Sequence, residues 1–128
     1  MPPGDALDES MRLEVAEAIA AAESASSVRF SVYLGPLPAG RVTATRLHEG
    51  CDDPRNRVLI AVDIENQVIE VVTGERAALL CGDRTCSLAT LAMTSAFIQG
   101  DVIGGLRAGI LVLGDHAQAP PVLFADQP

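Results

Sequence analysis

Several residue types are scarce or missing in this sequence, and each absence excludes a class of protein. The chain contains no lysine and no tryptophan, and its nine basic residues are all arginines against 17 acidic residues, for a net charge of −8. This excess of negative charge repels phosphate backbones, so it argues against nucleic acid as a partner. Three cysteines are too few for a disulfide-rich framework, which is typical of a protein from a reducing compartment.

Long apolar segments are missing as well. The longest candidate for a membrane span is interrupted by Arg107 and three glycines, so no stretch approaches the roughly 20 apolar residues that a span needs. Residues 1–5 carry neither the positive charge nor the apolar core of a secretory signal. We therefore expect no membrane-spanning helix and a cytoplasmic location.

The apolar residues that are present suffice for one folded domain. Of the 128 residues, 48% are hydrophobic and only 3% are aromatic, so Ala, Val, Leu and Ile must build the core. Asp8 begins the first periodic segment, and the Pro120-Pro121 pair follows the last one. We expect a flexible lead over residues 1–7, a single domain over residues 8–117 and an extended tail over residues 118–128.

The first half of the chain alternates between helical and strand patterns. Asp8 can cap a first helix, whose apolar residues recur at helical spacing: Met11, Val15, Ala18, Ile19 and Ala22. Alternation over residues 28–34 predicts a half-buried strand, and residues 41–49 predict a short helix. Residues 58–62 form a continuous apolar run typical of a central strand buried on both faces, and residues 68–72 predict its hairpin partner.

Two consecutive helices dominate the second half, after a short helical turn over residues 75–80 and a polar loop over residues 81–85. The first of them should end at Gln99, because Gly100 can take a left-handed conformation and Asp101 can cap the next helix. The apolar stripe predicted for the first helix comprises Leu88, Leu91, Ala92, Ser95 and Ala96, widened by Met93 and Phe97. The buried side predicted for the second helix comprises Val102, Ile103, Leu106, Ile110 and Leu113.

Three glycines lie inside the second of these helices, namely Gly104, Gly105 and Gly109. A glycine costs about 1 kcal/mol in a helix interior, so we expect that these positions allow a neighbouring element to approach closely. The order of the elements predicts an α/β fold. Its layers should form a three-layer α/β/α sandwich around a small mixed central sheet.

No set of residues identifies a reaction. Cys81 and Cys86 are spaced too widely for a redox pair, and a structural zinc site needs four ligands. The remaining candidate ligands are distant in sequence: Cys51, His48 and His116. We therefore favour plain buried or loop thiols. His48 could act as a base, although a solvated histidine at a helix end is the commoner arrangement.

Three segments carry a resemblance to a known family: VVTG (residues 71–74), LAMTSAF (residues 91–97) and GDVIGGL (residues 100–106). With these segments, the sequence resembles a domain-of-unknown-function family of uncharacterised actinobacterial proteins related to the TPM domain. The resemblance covers the second half of the chain strongly and the first half in its order of helix and strand. It implies a TPM-like α/β sandwich with a small sheet between helices.

The resemblance also implies a divided set of roles. Among TPM-domain proteins these are acid phosphatase activity in the thylakoid lumen, photosystem II repair, modulation of an acetylcholine receptor, and binding of Ca²⁺ or Mg²⁺ by loop carboxylates. Asp83, in the predicted loop, and Asp101, between the paired helices, lie where TPM-like sequences keep acidic residues. With Asp63 or Glu75 as helpers, they could converge at one end of the sheet and bind Ca²⁺ or Mg²⁺.

Each of these carboxylates also has a structural interpretation, since Asp101 can serve as a helix cap and Asp83 as a solvated loop residue. The DxDxDG spacing of a dedicated calcium loop is absent from the sequence. Two functions follow as hypotheses. The first is a noncatalytic accessory or interaction module with a protein partner, because no catalytic constellation is visible. The alternative is a divalent-dependent acid phosphatase.

Overall fold

The computed structural model describes residues 8–118, which fold into four α-helices and three strands joined by two short 3₁₀ turns. The helices and strands in chain order are α1 (Glu9–Ser24), β1 (Arg29–Leu34), α2 (Arg41–Glu49), β2 (Arg57–Asp63), β3 (Val68–Thr73), α3 (Asp83–Ile98) and α4 (Val102–His116). The predicted lead and all of the predicted tail except Gln118 lie outside the described residues.

The three strands form a mixed sheet in the order β1-β2-β3, with β1 parallel to β2 and β3 antiparallel to it. The predictions of a central second strand and of a β2-β3 hairpin are therefore confirmed. The register pairs Asp63 with Val68 at the hairpin end and Val58 with Thr73 at the other end. This register defines two ends of the sheet, and the candidate ligands divide between them.

The sheet is covered on both faces, because the side chains of β2 alternate between two apolar clusters. On one face, Ile60 and its neighbours pack against α1, α3 and α4. On the other face, Leu59 and Ala61 pack against Ala44 of α2. The three-layer α/β/α sandwich is confirmed, with α2 alone as the thin layer. Within residues 8–118, each helix is too short or too polar to cross a bilayer.

The junction between α3 and α4 follows the prediction closely. Gly100 has a φ of 80°, which is the left-handed conformation that closes a helix. The next residue, Asp101, accepts a hydrogen bond of 2.8 Å from the backbone N–H of Gly104 through its side chain. Asp8 caps α1 in the same way, since it accepts from the N–H of Met11 at 2.8 Å. Both predicted caps are confirmed.

The helix α4 lies between α1 and α3 and buries the side that the sequence predicts, including Leu106, Ile110 and Leu113. Glycines set its distance from α3. A methyl group at Gly109 would lie 2.7 Å from the sulfur of buried Met93, and one at Gly105 would overlap the ring of Phe97. Close approach is confirmed at these two positions. The prediction of close approach by a neighbouring element is wrong for Gly104, where a methyl group would meet Asp101, the residue that caps the same helix.

The prediction for the buried side of α3 is partly wrong. The side chains that face the core include Ala89, Met93 and Phe97, whereas Leu88 and Leu91 are exposed. The helix also begins at Asp83, inside the polar loop predicted over residues 81–85. Since α3 is apolar on more than one side, periodicity alone could not choose which side faces α4. The close approach at Gly105 and Gly109 decides the rotation.

Candidate interaction surface

The outward side of α3 carries an apolar stripe. Leu88, Leu91 and Ile98 are 42%, 64% and 80% exposed, and their spacing of three and seven residues places them along one side of the helix. Single exposed apolar side chains are common on protein surfaces and need no explanation. A line of three along one helix is different, because it offers several apolar contacts on one side of the helix to another apolar surface.

The stripe leads into a crevice of about 450 Å³ at the hairpin end of the sheet. Ile98 belongs to both, and Thr94 and Phe97 form the helical wall of the crevice. The opposite wall comes from the hairpin, where half-exposed Ile64 faces the opening. We call the stripe and the crevice together the α3–hairpin surface; the further crevice residues are Val62, Asp63, Gln67, Val68, Ile69, Gly100 and Val102.

The crevice has the size and composition of a binding site. Pockets of roughly 300–1,000 Å³ with an apolar lining and a few polar groups are typical of sites that accept a side chain or a small molecule. It also lies beyond the carboxyl end of β2, the sheet edge at which α/β folds tend to bind ligands. Sequence reasoning missed it, although Ile64, an apolar residue in a polar turn, was the available signal.

The charged residues around this crevice are acidic. Glu65 lies in the hairpin turn between crevice residues, and the exposed Asp101 lies between Gly100 and Val102, which both line it. Arg84 is at the other end of α3, one turn before Leu88. Together with the net charge of −8, this distribution gives the crevice end of the surface a negative potential.

Asp63, one of the predicted metal ligands, is buried at the end of β2 and is fully used in hydrogen bonds. Its carboxylate accepts from the backbone N–H of Leu37 at 3.0 Å and from both the backbone and the side-chain amide of Asn66, at 3.1 and 2.9 Å. These hydrogen bonds lower the pKa of Asp63 below its ordinary value of 3.8, and the bond from the Asn66 side chain has the largest effect. Asp63 therefore fastens the β1–α2 loop to the hairpin.

The structure does not bring the four predicted carboxylates together. Asp63 lies at the hairpin end of the sheet, whereas Glu75 follows β3 at the opposite end and pairs with Arg55 at 3.5 Å. Asp83 is the first residue of α3, whose 16 residues span about 24 Å, and Asp101 lies three residues beyond its other end. The expectation that they converge is therefore wrong. Within residues 8–118, no group of three or more His, Cys, Asp or Glu side chains is placed to hold a metal ion.

The cysteines and histidines have local structural partners. Buried Cys81 donates its thiol to the carbonyl of Leu113 at 3.5 Å, and burial raises its pKa to about 11. Cys86 donates to the carbonyl of Cys81 at 3.8 Å, and burial raises its pKa too. All three cysteines are free thiols. Thiols with raised pKa values are poor nucleophiles at neutral pH.

His48 is not the solvated helix-end residue that the sequence predicts. It is buried beneath α2, and its Nε2 donates to the carbonyl of Arg57 at 2.9 Å. The ring thereby fastens α2 to the start of β2 through this hydrogen bond. The α3–hairpin surface thus holds apolar contact area with an acidic margin.

An uncharacterized protein of Mycobacterium tuberculosis, found in strains CDC 1551 and H37Rv, is 38% identical over 100 residues, which make up 76% of this chain and 59% of that protein. The chain thus spans about three fifths of the length of these relatives.

Two solved structures share the fold. The BA42 protein of the psychrophilic bacterium Bizionia argentinensis superposes with a TM-score of 0.68 at 20% identity, covering 87% of this chain and 81% of that one. The N-terminal domain of the cg2496 protein of Corynebacterium glutamicum gives a TM-score of 0.71 at 16% identity, covering 88% and 74%. A family model described as "Domain of unknown function (DUF5130)" matches residues 4–114, so the chain belongs to that family.

Proposed function

We propose that this chain is a noncatalytic interaction domain that works in the cytoplasm and binds a protein partner through the α3–hairpin surface. The observation that carries the proposal is the continuity of the Leu88, Leu91 and Ile98 stripe with the crevice beside Ile64. Interfaces concentrate their binding energy in a few apolar anchors that fill pockets, surrounded by contacts that exclude water. A stripe that ends in a pocket supplies both the pocket for an anchor and the surrounding apolar contacts that exclude water.

The partner chemistry follows from the shape and charge of this surface. A straight apolar stripe on a helix accepts the apolar side of a second amphipathic helix, with anchors spaced three, four or seven residues apart. Because Glu65 and Asp101 flank the crevice, the partner helix should carry Lys or Arg beside its anchor residue. We therefore propose a basic amphipathic helix of another protein as the occupant.

A peptide-display selection tests this proposal directly. The library holds helical peptides with leucines fixed at three- and four-residue spacing and with every polar position randomised, and the bait is the full chain. Selected peptides should be rich in Lys and Arg. Their affinity, measured by calorimetry, should fall at least roughly tenfold for the double variant Leu91→Glu and Ile98→Glu, because two apolar anchors are lost.

Leu13→Glu is the matched control, since Leu13 is a similarly exposed apolar residue on α1, away from the α3–hairpin surface. It should leave the affinity within about twofold, since rim and remote positions contribute little. If selection enriches no peptides, or if the double variant binds them as well as the parent, the proposed interaction surface is wrong. Enrichment of acidic peptides would contradict the charge argument alone.

Kinship with the TPM domain is part of this proposal, and it keeps the acid phosphatase hypothesis open to experiment. Purified protein should show no turnover of a generic phosphomonoester above background, with or without Mg²⁺ or Ca²⁺. Turnover that disappears in Asp83→Ala or Asp101→Ala would instead support the divalent-dependent enzyme. A noncatalytic domain is favoured because Asp83 and Asp101 lie at opposite ends of α3, and one active site cannot use both.

A further inference from the structure

A second surface, the α1–α4 groove, lies on the other side of α4. The groove has a volume of about 530 Å³ and runs between α1 and α4. Buried Ala22, Ile110 and Gly114 form its floor, and its sides are lined by Ala18, Ala21, Ala25, Gly104, Arg107, Ala108, Leu111, Asp115 and Gln118. Most of these side chains are small, so the two helices leave a space between them that a larger apolar side chain can fill.

The end of the groove coincides with the point at which the chain leaves the described structure. Gln118 is both the last described residue and a residue that lines the groove. The next ten residues, APPVLFADQP, therefore start at the groove itself. Pro120 and Pro121 cannot extend α4, because proline lacks the backbone N–H and its ring clashes with the preceding turn.

The sequence beyond the prolines is apolar. Residues 122–124 are Val, Leu and Phe, and Phe124 is one of only three phenylalanines in the chain. An extended chain covers about 3.3 Å per residue, so residues 122–124 can reach roughly 13–20 Å from Gln118. From Asp115 back to Gly104 the groove follows α4 for 11 residues, or about 16 Å. The segment is therefore long enough to lie along the groove and antiparallel to α4.

We propose that residues 122–124 bind in the α1–α4 groove of their own chain. The fit rests on three properties: the segment starts at one end of the groove, its length matches the groove, and its large side chains complement walls of alanine and glycine. Intramolecular attachment makes the effective concentration of the segment high, so a modest apolar contact suffices to keep it bound. This surface is distinct from the α3–hairpin surface, and the two proposals can fail independently.

The test uses NMR spectroscopy of the full chain with labelled alanine methyl groups and labelled phenylalanine rings. We expect nuclear Overhauser effects between the ring of Phe124 and the methyl groups of Ala18 or Ala108, which line the groove farther from Gln118. The variant Phe124→Asp should remove them and shift the signals of the groove alanines. Gln127→Asp adds the same charge outside the apolar segment, so it should leave those signals in place.

A change in the groove provides the reciprocal experiment. Ala21→Glu puts a charge on an exposed wall of the groove, and Ala20→Glu puts the same charge on a neighbouring exposed position outside it. Only Ala21→Glu should shift the signals of residues 122–124. The proposal is overturned if Phe124 shows no Overhauser effect to the groove, or if Phe124→Asp leaves the groove alanines unshifted.

A second copy of the chain is the competing source of the same apolar segment. A mixture of labelled and unlabelled protein separates the two, because Overhauser effects between labelled and unlabelled chains arise only from exchange of the segment between molecules. We expect none at any protein concentration. Effects of that kind would overturn the intramolecular proposal and indicate a swapped dimer.

Discussion

The polar residues that most resemble ligands in this chain hold backbone segments together. Asp101 satisfies an N–H group at the start of α4, and Asp63 satisfies N–H groups from two different loops. A helix start leaves backbone donors without partners, and a buried donor without a partner costs free energy. Each carboxylate therefore has a sufficient structural reason to be where it is, and substitutions can measure how much it contributes.

The first prediction concerns the cap of α4. Asp101→Ala should lower the free energy of unfolding by about 0.5–2 kcal/mol, because the N–H of Gly104 loses its acceptor. Asp101→Asn and Asp101→Ser keep an acceptor oxygen and should be nearly neutral. Denaturant melts of the purified variants provide the measurement. If Asn proves as damaging as Ala, the charge of Asp101 has a role beyond capping.

The second prediction concerns Asp63 and acid. Hydrogen bonds lower the pKa of Asp63 in the folded state, so its contribution to stability is complete above its ordinary pKa of 3.8 and is lost as the pH falls through the lower folded value. Asp63→Asn should destabilise the protein at pH 7, because the new amide group faces donors. The difference between parent and variant should shrink below pH 3.8. Melts across this range that show a constant difference would contradict the assignment.

At the scale of whole elements, the contact between α3 and α4 is the closest in the helical layer. Met93 is fully buried against Gly109, and Phe97 covers Gly105. Small residues at such a crossing let two helices approach, while a larger one forces them apart or displaces the facing side chain. The free energy that these glycines cost in a helix interior is thus offset by the packing between α3 and α4.

The third prediction tests this contact. Gly109→Ala would stabilise an exposed helix by up to about 1 kcal/mol, but here it should destabilise by about 1–2 kcal/mol, since the new methyl group would force the fully buried Met93 to move. Urea melts measure the change. In a Met93→Ala background the same substitution should become neutral or stabilising, and the difference is the coupling between the two residues. A higher melting temperature for Gly109→Ala alone would refute close packing.

The rotation of α3 shows where periodicity stops being informative. Leu88 and Leu91 on one side compete with Ala89, Met93 and Phe97 on another, so hydrophobicity alone does not select the buried side. In α4 the apolar side is single, so the prediction of Leu106, Ile110 and Leu113 as buried is confirmed. Knowing that Gly105 and Gly109 had to face α3 would have resolved the ambiguity.

At the scale of the whole molecule, the four carboxylates predicted to bind an ion lie at two different ends of the structure. An ion could therefore bind at one end or at the other, but not to all four. A site that binds Ca²⁺ or Mg²⁺ should raise stability by about 2.7 kcal/mol when the free ion exceeds its dissociation constant a hundredfold. Thermal melts in millimolar ion against chelator, with calorimetry, provide the measurement. Only one of the two variants, Asp83→Ala or Asp101→Ala, should lose this increase in stability. The other should keep it, because α3 separates the two residues and one ion cannot bind both.

An unchanged melt together with no heat of binding would contradict ion binding and remove the main physical support for an acid phosphatase. It would leave the interaction domain untouched, because the α3–hairpin surface relies on apolar contact and needs no metal ion. The three sets of measurements on ions, peptides and phosphomonoester turnover therefore separate the hypotheses from one another.

The sequence by itself determined the elements, their order and the ends of the paired helices. These features depend on neighbours along the chain: alternation makes β1 recognisable, a continuous apolar run makes β2 central, and Gly100 with Asp101 ends one helix and starts the next. Local backbone conformation and side-chain capping act over three or four residues, so a single sequence contains the information that they require.

Only the tertiary structure decided which residues meet across the fold. It buried His48 against Arg57, used Asp63 to join two loops and placed Asp83 and Asp101 at opposite ends of α3. It also turned Leu88 and Leu91 outward. Such outcomes depend on how helices pack on a sheet and on which small residues permit close approach. Those distances and orientations arise between elements far apart in sequence, so no local pattern encodes them.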